Sequence, residues 1–263
     1  MEQAKHFIFH LTRRNGLPLI LHPFNDEAFL QEWGDRLQKG EALVLLGCYG
    51  AEPRVDSLVF FRNEVYQHIE QHVERWMQEK RFIPRFLFSA GVFLLAYFFA
   101  AIVIRDPLPL LDEILIAGGA AAGAYFLLGR QIKSSQAAVA RRICLRDAAD
   151  KIVFNYSPLL HRLEDLLQEN EQLAPAELFK RLLAGDGVLE SWGEPGEEEA
   201  RQLGDLLGYL NKRFKTRGGE KLEKILAARK KTLPRGPAGR IYRTDMPLFS
   251  LYAKLKRRAF LRN

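Results

Sequence analysis

Two histidines one helical turn apart are the residues best suited to metal chemistry. His68 and His72 lie in the segment HIEQH, with Glu64 one turn earlier, and a spacing of four places such side chains on one face of a helix. Imidazole and carboxylate groups in this arrangement can hold a zinc ion. The segment departs from the HExxH pattern of zinc proteases, because isoleucine follows the first histidine and the glutamate comes one residue late. We therefore interpret it as a solvated helix face and predict no metal site.

The other residues that could do chemistry form no catalytic motif. The sequence contains no GxSxG, GxxxxGK or GxGxxG pattern. His6, His10 and His22 alternate with apolar residues, which predicts the polar side of a half-buried sheet. Cys48 and Cys144 have no histidine close by in the sequence, and we interpret both as small buried apolar residues rather than as a disulfide. The sequence thus predicts no cofactor and favours a function other than catalysis.

Three acidic residues are grouped near the middle of the chain, at Asp106, Asp112 and Glu113. Carboxylates around the mouth of a pore attract cations and partly dehydrate them. If several copies assembled, these acids could surround such a mouth. The apolar stretches on either side contain almost no polar side chains, which favours a simpler interpretation in which the acids end a hairpin at a membrane interface.

The two apolar stretches that flank this group predict the fold class. The chain as a whole is 48% hydrophobic and 27% charged, which is ordinary for a folded protein. Residues 86–104 nevertheless contain no charge, and residues 110–129 are apolar apart from two acids in the first turn. At about 1.5 Å per helical residue, each stretch approaches the roughly 30 Å of a bilayer core. A soluble core helix normally keeps a polar face, so we predict a membrane protein with an α-helical hairpin of two transmembrane helices.

Small residues in the second stretch predict how the hairpin packs. Small residues four apart let helices approach closely in lipid, where packing rather than hydrophobic exclusion drives association. The natural partner of the second stretch is the first. The residues predicted to make this contact are Gly118, Gly119, Ala122 and Gly123 in the second stretch, with Ala96 and Ala100 in the first.

Basic residues near the ends of the hairpin predict its orientation. The 20 residues before the first stretch and the 20 after the second carry nine Lys or Arg, whereas the bend carries only Arg105. Because positive charge stays on the cytoplasmic side, both termini are predicted to be cytoplasmic. The opening residues, MEQAKHFIFHLTRRNG, lack the long apolar core of a cleavable signal peptide. The predicted location is the bacterial inner (cytoplasmic) membrane, as a multi-pass protein.

The hairpin divides the chain into four predicted segments. Residues 1–81 form a cytoplasmic α+β domain that ends in a juxtamembrane helix, and residues 82–130 form the hairpin, with spans at about 86–104 and 110–129. Residues 131–211 form a mainly α-helical cytoplasmic domain. Residues 212–263 form a basic tail.

Turn and capping residues predict the elements of the soluble segments. Asn15-Gly16 suits a turn between two strands, and Asn25 and Gly40 bound a helix. The runs EALVLLGCYG and SLVFF each predict a strand, followed by a helix from residue 63 or 64 to residue 80. After the hairpin, one helix is predicted from residue 130 to about 155. The helices before and after the hairpin could pair as a coiled-coil-like stalk.

Positive charge is concentrated in the tail. The net charge is +7, yet residues 212–263 carry 17 Lys or Arg against three acids. Basic and apolar residues interleave as in a helix at an anionic membrane surface. Docking onto the acidic remainder of the chain, or onto an acidic protein partner, is the alternative, while nucleic acid is disfavoured because no recognition motif accompanies the charge. The residues predicted to make this contact are Lys254, Lys256, Arg257, Arg258, Phe249 and Leu255.

These features predict a two-pass, membrane-anchored scaffold, assembly or regulatory subunit of a membrane complex that acts through its cytoplasmic domains. The predicted partners are proteins of that complex and anionic lipid headgroups, and a homo-oligomer is left open. The alternative function is an oligomeric cation channel or transport subunit with acids at the bend of the hairpin.

Overall fold

The computed structural model describes residues 5–41, 43–103, 111–130, 135–185, 192–216, 219–228 and 244–260. The chain forms two compact units, and neither is a continuous segment. The first unit comprises Met1–Asn25, Ala42–Arg62 and Lys151–Asn263, and the second comprises Asp26–Glu41 and Asn63–Asp150. Each unit is therefore completed by residues that are far apart in the sequence. The four segments inferred from the sequence stay a prediction.

The described residues are mostly helical and include one small sheet. The strands are β1 (Lys5–Thr12), β2 (Pro18–Leu21), β3 (Val44–Tyr49) and β4 (Val153–Tyr156). The helices are α1 (Glu27–Gln38), α2 (Val55–Val103), α3 (Leu111–Arg130), α4 (Gln136–Asp150), α5 (Pro158–Glu171), α6 (Pro175–Ala184), α7 (Glu197–Thr216), α8 (Gly219–Ala227) and α9 (Met246–Phe260), and a short 3-10 turn covers Pro23–Asn25.

The sheet belongs to the first unit and has the strand order β2-β1-β3-β4. β1 pairs antiparallel with β2 and parallel with β3, and β3 pairs parallel with β4. The central strand β1 is buried on both faces, with Phe7 and Phe9 alternating with Ile8 and His10, as expected where other elements cover a parallel sheet. The prediction of a half-buried sheet with a polar histidine side is therefore wrong for His10, and His22 just after β2 is also buried, at 5% exposed.

The turn between β1 and β2 is the one that the sequence predicts. Gly16 has a φ of 74°, which glycine adopts without the steric cost that a side chain brings. The side-chain oxygen of Asn15 accepts a hydrogen bond from the Leu17 amide at 3.0 Å. This turn sets the register in which Thr12 faces Pro18.

The connection between β3 and β4 differs from the sequence prediction at both ends. The run SLVFF, residues 57–61, lies in α2 instead of forming a strand, and residues 153–156 form β4 instead of continuing a helix. Short apolar runs do not distinguish a strand from a buried helix by periodicity. Along the chain, α2, α3 and α4 therefore all come between β3 and β4, two strands that are neighbours in the sheet.

Four helices and the sheet bury the core of the first unit. α9 packs against α5, α6 and α7, and both α5 and α7 contact β1. Aromatic contacts join α7 to α9, with the ring centre of Phe214 5.3 Å from that of Phe249 and 5.2 Å from that of Tyr252. At the edge of this core, Arg13 forms ion pairs with Glu171 and Asp245. The carboxyl-terminal helix is thus an integral part of the first unit.

The second unit is held together by α1, α4 and the middle of α2. Asp26, rather than the predicted Asn25, caps α1 by accepting a hydrogen bond from the Ala28 amide. Glu70 of α2 pairs with Arg142 and Arg146 of α4. α2 and α4 therefore contact each other through ion pairs.

One helix among the described residues, α2, is long and apolar enough by length and composition to cross a membrane, and only 11% of its most apolar window is buried. Pro84 lies inside α2 at the start of this apolar part, where it removes one backbone hydrogen bond. The apolar part of α3 covers Glu113–Leu128 and is shorter than the roughly 17–25 residues of a typical span. The described helices thus provide one candidate span rather than the predicted two.

Candidate functional site

A crevice in the first unit lies where two parallel strands end and α2 begins. β1 ends at Thr12, β3 ends at Tyr49, and a short loop leads from β3 to the first turn of α2 at Val55. In open α/β sheets, ligands bind outside the carboxyl ends of the strands. The cavity has a volume of about 500 Å³, which falls in the roughly 300–1,000 Å³ range of small-molecule sites.

The walls of the crevice combine an apolar side with a polar side. Leu17 and Pro18 from the β1–β2 turn, together with Phe60 of α2, supply the apolar side. Leu17 and Phe60 are exposed, although large apolar side chains usually are buried in soluble proteins. The polar side comes from the end of β1, the loop after β3 and the first turn of α2.

A buried carboxylate holds the two strand ends that form the crevice. Glu164 of α5 accepts a hydrogen bond from the Thr12 amide at 2.8 Å and another from the Ala51 amide. Burial raises the pKa of Glu164, although these two amide hydrogen bonds act in the opposite direction. Because Thr12 and Ala51 both line the cavity, Glu164 positions its polar wall from behind.

His10 and Ser57 form a hydrogen-bonded pair in the wall of the crevice. The His10 Nε2 atom lies 3.0 Å from the Ser57 Oγ atom, and that hydroxyl donates its hydrogen to the Arg54 carbonyl oxygen at 2.7 Å. A serine hydroxyl has one hydrogen to donate, so Nε2 must carry the proton and donate to Ser57. In this arrangement the Ser57 hydroxyl hydrogen points to the Arg54 carbonyl oxygen instead of to His10, so the structure does not show Ser57 activated by His10.

This arrangement leaves the second nitrogen of His10 as an acceptor. His10 is 2% exposed, and its Nδ1 atom has no hydrogen-bond partner among the residues that the structure describes. Burial lowers the pKa of His10, so the ring is neutral near pH 7. An unsatisfied buried acceptor costs about 1–3 kcal/mol.

Three charged side chains lie around the start of α2. Arg54 precedes the helix, Asp56 is in its first turn, and Glu52 lies in the loop, and all three line the cavity. Their side chains are exposed. The first amides of any helix lack partners within the helix and carry partial positive charge, so the crevice offers both donors and acceptors to a ligand.

The two histidines that suggested metal chemistry lie in different environments. His68 is half-buried, whereas His72 is 1% exposed, so the prediction of a solvated face is wrong for His72. The ring of His72 lies between Glu27 of α1 and Arg141 of α4. Across the residues that the structure describes, no three His, Cys, Asp or Glu side chains come close enough to hold a metal ion.

Arg141 is the centre of a buried polar cluster in the second unit. Its guanidinium donates to Asp35 at 2.8 Å and to the Gln31 carbonyl oxygen at 3.2 Å, and it stacks 4.5 Å from the Trp76 ring. Because arginine can only donate, His72 accepts from it through Nε2 and donates to Glu27 through Nδ1. Burial lowers the pKa of His72, Glu27 opposes this change, and the charge of Arg141 adds to it.

The small residues predicted to join the two apolar helices lie in different surroundings. Atoms added at the Cβ positions of Gly118, Gly119 and Gly123 would have nothing within 4 Å, and Ala122 is exposed. Ala117 is fully buried and Ala100 is 5% exposed, while Ala96 is half-buried. The buried small residue of α3 is therefore Ala117, which was not among the predicted contact residues.

The acids at the bend are only partly described. Asp106 lies outside the described residues, and so does the side chain of Asp112. Glu113 is 2% exposed, and its Oε1 atom has no hydrogen-bond partner among the described residues. A buried carboxylate differs from the solvated pore-mouth group that the sequence suggests.

The contact residues of the tail pack against the first unit. Phe249 and Leu255 lie in its core. A helix at a membrane interface would need these side chains at the surface instead. Arg257 donates to the Leu182 carbonyl oxygen at 3.1 Å, and Arg258 donates to the carbonyl oxygen of Gly193. Lys256 pairs with Glu223 at 2.9 Å and Lys254 is half-buried. This arrangement corresponds to docking onto the rest of the chain.

The two cysteines are free, as predicted. Cys48 is buried in β3, and burial, with a smaller effect from Glu198, raises its pKa to about 11, so the thiol is unreactive at neutral pH. Cys144 is half-buried rather than buried.

Comparison with protein families, with curated proteins and with solved structures finds no match to this chain. The candidate site therefore depends on its geometry alone. The sequence does not predict the crevice, because SLVFF has the pattern of a strand and so conceals the start of α2. The signal in the sequence was a predicted strand, followed by a short loop with Pro53 and then by a segment that contains a serine.

Proposed function

We propose that this protein is a two-pass, membrane-anchored regulatory or assembly subunit that acts through folded units on the cytoplasmic side of a membrane. The observation that carries the proposal is the apolar surface of α2. Monomeric soluble proteins rarely expose contiguous apolar patches of more than a few hundred Å². The side chains of this surface are each more than half exposed and include Phe86, Leu87, Leu95, Phe98, Phe99 and Ile102.

In this proposal α3 provides the second span. Leu115, Ile116, Phe126 and Leu127 of α3 are also more than half exposed, so this helix needs an apolar environment as well. Arg85 of α2 donates to the Tyr125 carbonyl oxygen at 2.7 Å and stacks 4.1 Å from its ring. Contacts of this kind support antiparallel pairing of the two helices.

A regulatory role is supported by the crevice and by the continuity of α2. The first turns of α2 line a cavity of ligand size, and the same unbroken helix carries the apolar stretch. A ligand that changes the position of the first turn of α2 would therefore act on a helix that continues toward the membrane.

Topology is the first test of this proposal. The full chain is expected to stay with membranes after carbonate extraction and to leave them in detergent. Reporter fusions at residue 1 and residue 263 should both report the cytoplasm, and a cysteine introduced at Leu108 should react with an impermeant maleimide from outside. A chain released by carbonate, or a terminus found outside, would contradict the two-span arrangement.

The second test separates a regulatory subunit from a pore. Purification from its native membrane in mild detergent should yield the chain in fixed stoichiometry with a second polypeptide. Liposomes that contain the purified chain should show no cation flux above that of empty liposomes. A homo-oligomer that conducts cations would favour the channel instead.

A further inference from the structure

We propose that the buried cluster of His72, Arg141 and Glu27 is an acid-sensitive switch, which holds α4 against α1 while His72 is neutral and releases it when His72 takes up a proton. This inference deepens the proposed function and rests on it in one respect, because the pH that the switch senses is that of the cytoplasm. The switch itself depends only on contacts within the second unit.

The cluster as it stands requires a neutral imidazole. The Nη2 atom of Arg141 lies 3.3 Å from the Nε2 atom of His72, and a guanidinium group can only donate. Nε2 is therefore an acceptor and carries no proton. Nδ1 carries the single ring proton and donates it to the Glu27 carboxylate, 2.5 Å away. The contacts on both sides of the ring thus depend on one protonation state.

A second proton on the ring opposes this arrangement. It places an N–H group on Nε2, so that two donors and two positive charges face each other across 3.3 Å. The side chains of His72 and Arg141 are both buried, so little water is present to screen the repulsion. A charged imidazole binds the Glu27 carboxylate more strongly than a neutral one does. Arg141 is therefore the group that moves away.

Charged groups on all three helices set the pH at which this happens. Burial is the main cause that lowers the pKa of His72, and the charge of Arg141 on α4 adds to it, while Glu27 and Asp35 on α1 oppose it. On α2 itself, Arg75 pairs with Glu27 at 3.2 Å and so shares the same carboxylate. The closed cluster therefore binds the proton less readily than a freed histidine does, and proton uptake favours the released form below about pH 6.5.

Arg141 is the polar link between α4 and α1. Its guanidinium donates to Asp35 at 2.8 Å and to the Gln31 carbonyl oxygen at 3.2 Å. Glu70 of α2, by contrast, pairs with two other arginines of α4 outside the cluster. Loss of the Arg141 contacts therefore frees α4 from α1, while α4 stays bound to α2.

The proposal is tested by measuring distances between spin labels on the full chain in detergent, diluted with unlabelled chain. Cys48 and Cys144 are first replaced by alanine. One pair of labels joins α1 to α4 and a second pair joins α2 to α4, at exposed positions in each helix: Gln38→Cys with Ala140→Cys, and Gln67→Cys with Asp147→Cys. Between about pH 8 and about pH 5, the range in which histidine changes its charge, the α1–α4 pair should gain a population that is longer by at least about 2 Å. The α2–α4 pair should keep its distance.

Three variants assign the change to His72. His72→Gln does not titrate but keeps a donor and an acceptor, so its α1–α4 distance should match that of the parent at high pH and stay there in acid. His68→Gln is the matched control, because it removes a half-buried histidine of the same helix that does not belong to the cluster, and it should leave the transition unchanged. Glu27→Gln should lower the midpoint of the transition by about one pH unit, because it removes a charge that stabilises the protonated ring.

The inference is overturned if the α1–α4 distance of the parent does not change in acid, or if His72→Gln lengthens as the parent does. Lengthening of both label pairs together would show unfolding of the second unit instead of a switch, and would overturn it as well. If His72→Gln does not reproduce the parent distance at high pH, Glu27→Gln decides, and an unchanged midpoint in that variant overturns the inference. Because these measurements do not depend on topology, their failure would leave the membrane tests above unaffected.

Discussion

Gly34 of α1 offers a direct test of the buried Arg141 cluster. A Cβ atom built at Gly34 would lie 2.5 Å from the Arg141 Nη2 atom and 2.6 Å from its Cζ atom. Since Arg141 is fixed by Asp35, by the Gln31 carbonyl and by the Trp76 ring, the guanidinium cannot move aside and keep these contacts. We therefore expect Gly34→Ala to displace Arg141 and destabilise the second unit.

The magnitude follows from two opposing effects. Gly→Ala inside a helix stabilises by about 0.5–1 kcal/mol when nothing obstructs the methyl group. Breaking a buried ion pair costs about 3–5 kcal/mol, and we take the lower end because Asp35 is 45% exposed and stays partly solvated. The expected result is a net loss of about 2 kcal/mol in the free energy of unfolding.

The assay is urea unfolding of the full chain in detergent, followed by tryptophan fluorescence, because Trp33 and Trp76 are both buried in the second unit. Gly208→Ala in α7 is the control, and because α7 belongs to the first unit, the unfolding of this variant is followed by circular dichroism. Nothing lies within 4 Å of the added atom at Gly208, so this change should stabilise by about 0.5–1 kcal/mol.

A double variant isolates the clash. In the background of Arg141→Ala, Gly34→Ala should become stabilising by about 0.5–1 kcal/mol, because the obstructing guanidinium is gone. The reasoning is refuted if Gly34→Ala is at least as stable as the wild type, or if it costs the same with and without Arg141.

Three further predictions concern other parts of the chain. Burial lowers the pKa of His72 below its usual value of 6.5, so the unfolded chain binds this proton at a higher pH than the folded chain does. The free energy of unfolding should therefore fall as the pH drops below about 6.5. His72→Gln should weaken that decline, as measured by urea midpoints. Phe249→Ala should lower the free energy of unfolding in urea by about 3–5 kcal/mol because the ring is fully buried. Lys254→Ala should change it by no more than about 0.5 kcal/mol. Equal effects of the two changes would contradict the packing of α9. Ala117→Leu should destabilise the chain by about 1–3 kcal/mol through overpacking because Ala117 is fully buried, whereas Gly123→Leu should be tolerated because nothing lies within 4 Å of the added atom. Thermal unfolding in detergent that shows the reverse order would contradict this prediction.

Local sequence signals predicted the turn and the strands β1, β2 and β3, but not β4. Asn15-Gly16 indicates a turn because glycine adopts the positive φ found there, and the apolar run before Gly50 indicates β3. These features depend on a few adjacent residues. The same signals failed at residues 57–61, because an apolar run of five residues has no period long enough to separate a strand from the first turns of a helix.

The candidate site could not be predicted because it depends on pairing between distant segments. His10 meets Ser57 only because β1 and β3 are parallel neighbours, and Glu164 reaches Thr12 only after α5 packs on the sheet. Charge and composition were similarly ambiguous for the tail. MPLFSLYAKLKRRAF has the pattern of an interfacial helix, yet the apolar face that could enter a membrane packs in the core of the first unit.

The place of α2, α3 and α4 between β3 and β4 has a consequence for synthesis on the ribosome. β3 is made early, but its partner β4 follows only after roughly 100 further residues, which at about 5–20 residues per second delays pairing by about 5–20 s. During this interval β3 presents an open edge, and unpaired edges recruit other strands. In the proposed two-span arrangement, prompt entry of α2 and α3 into the membrane would shorten the time for which the edge of β3 stays unpaired.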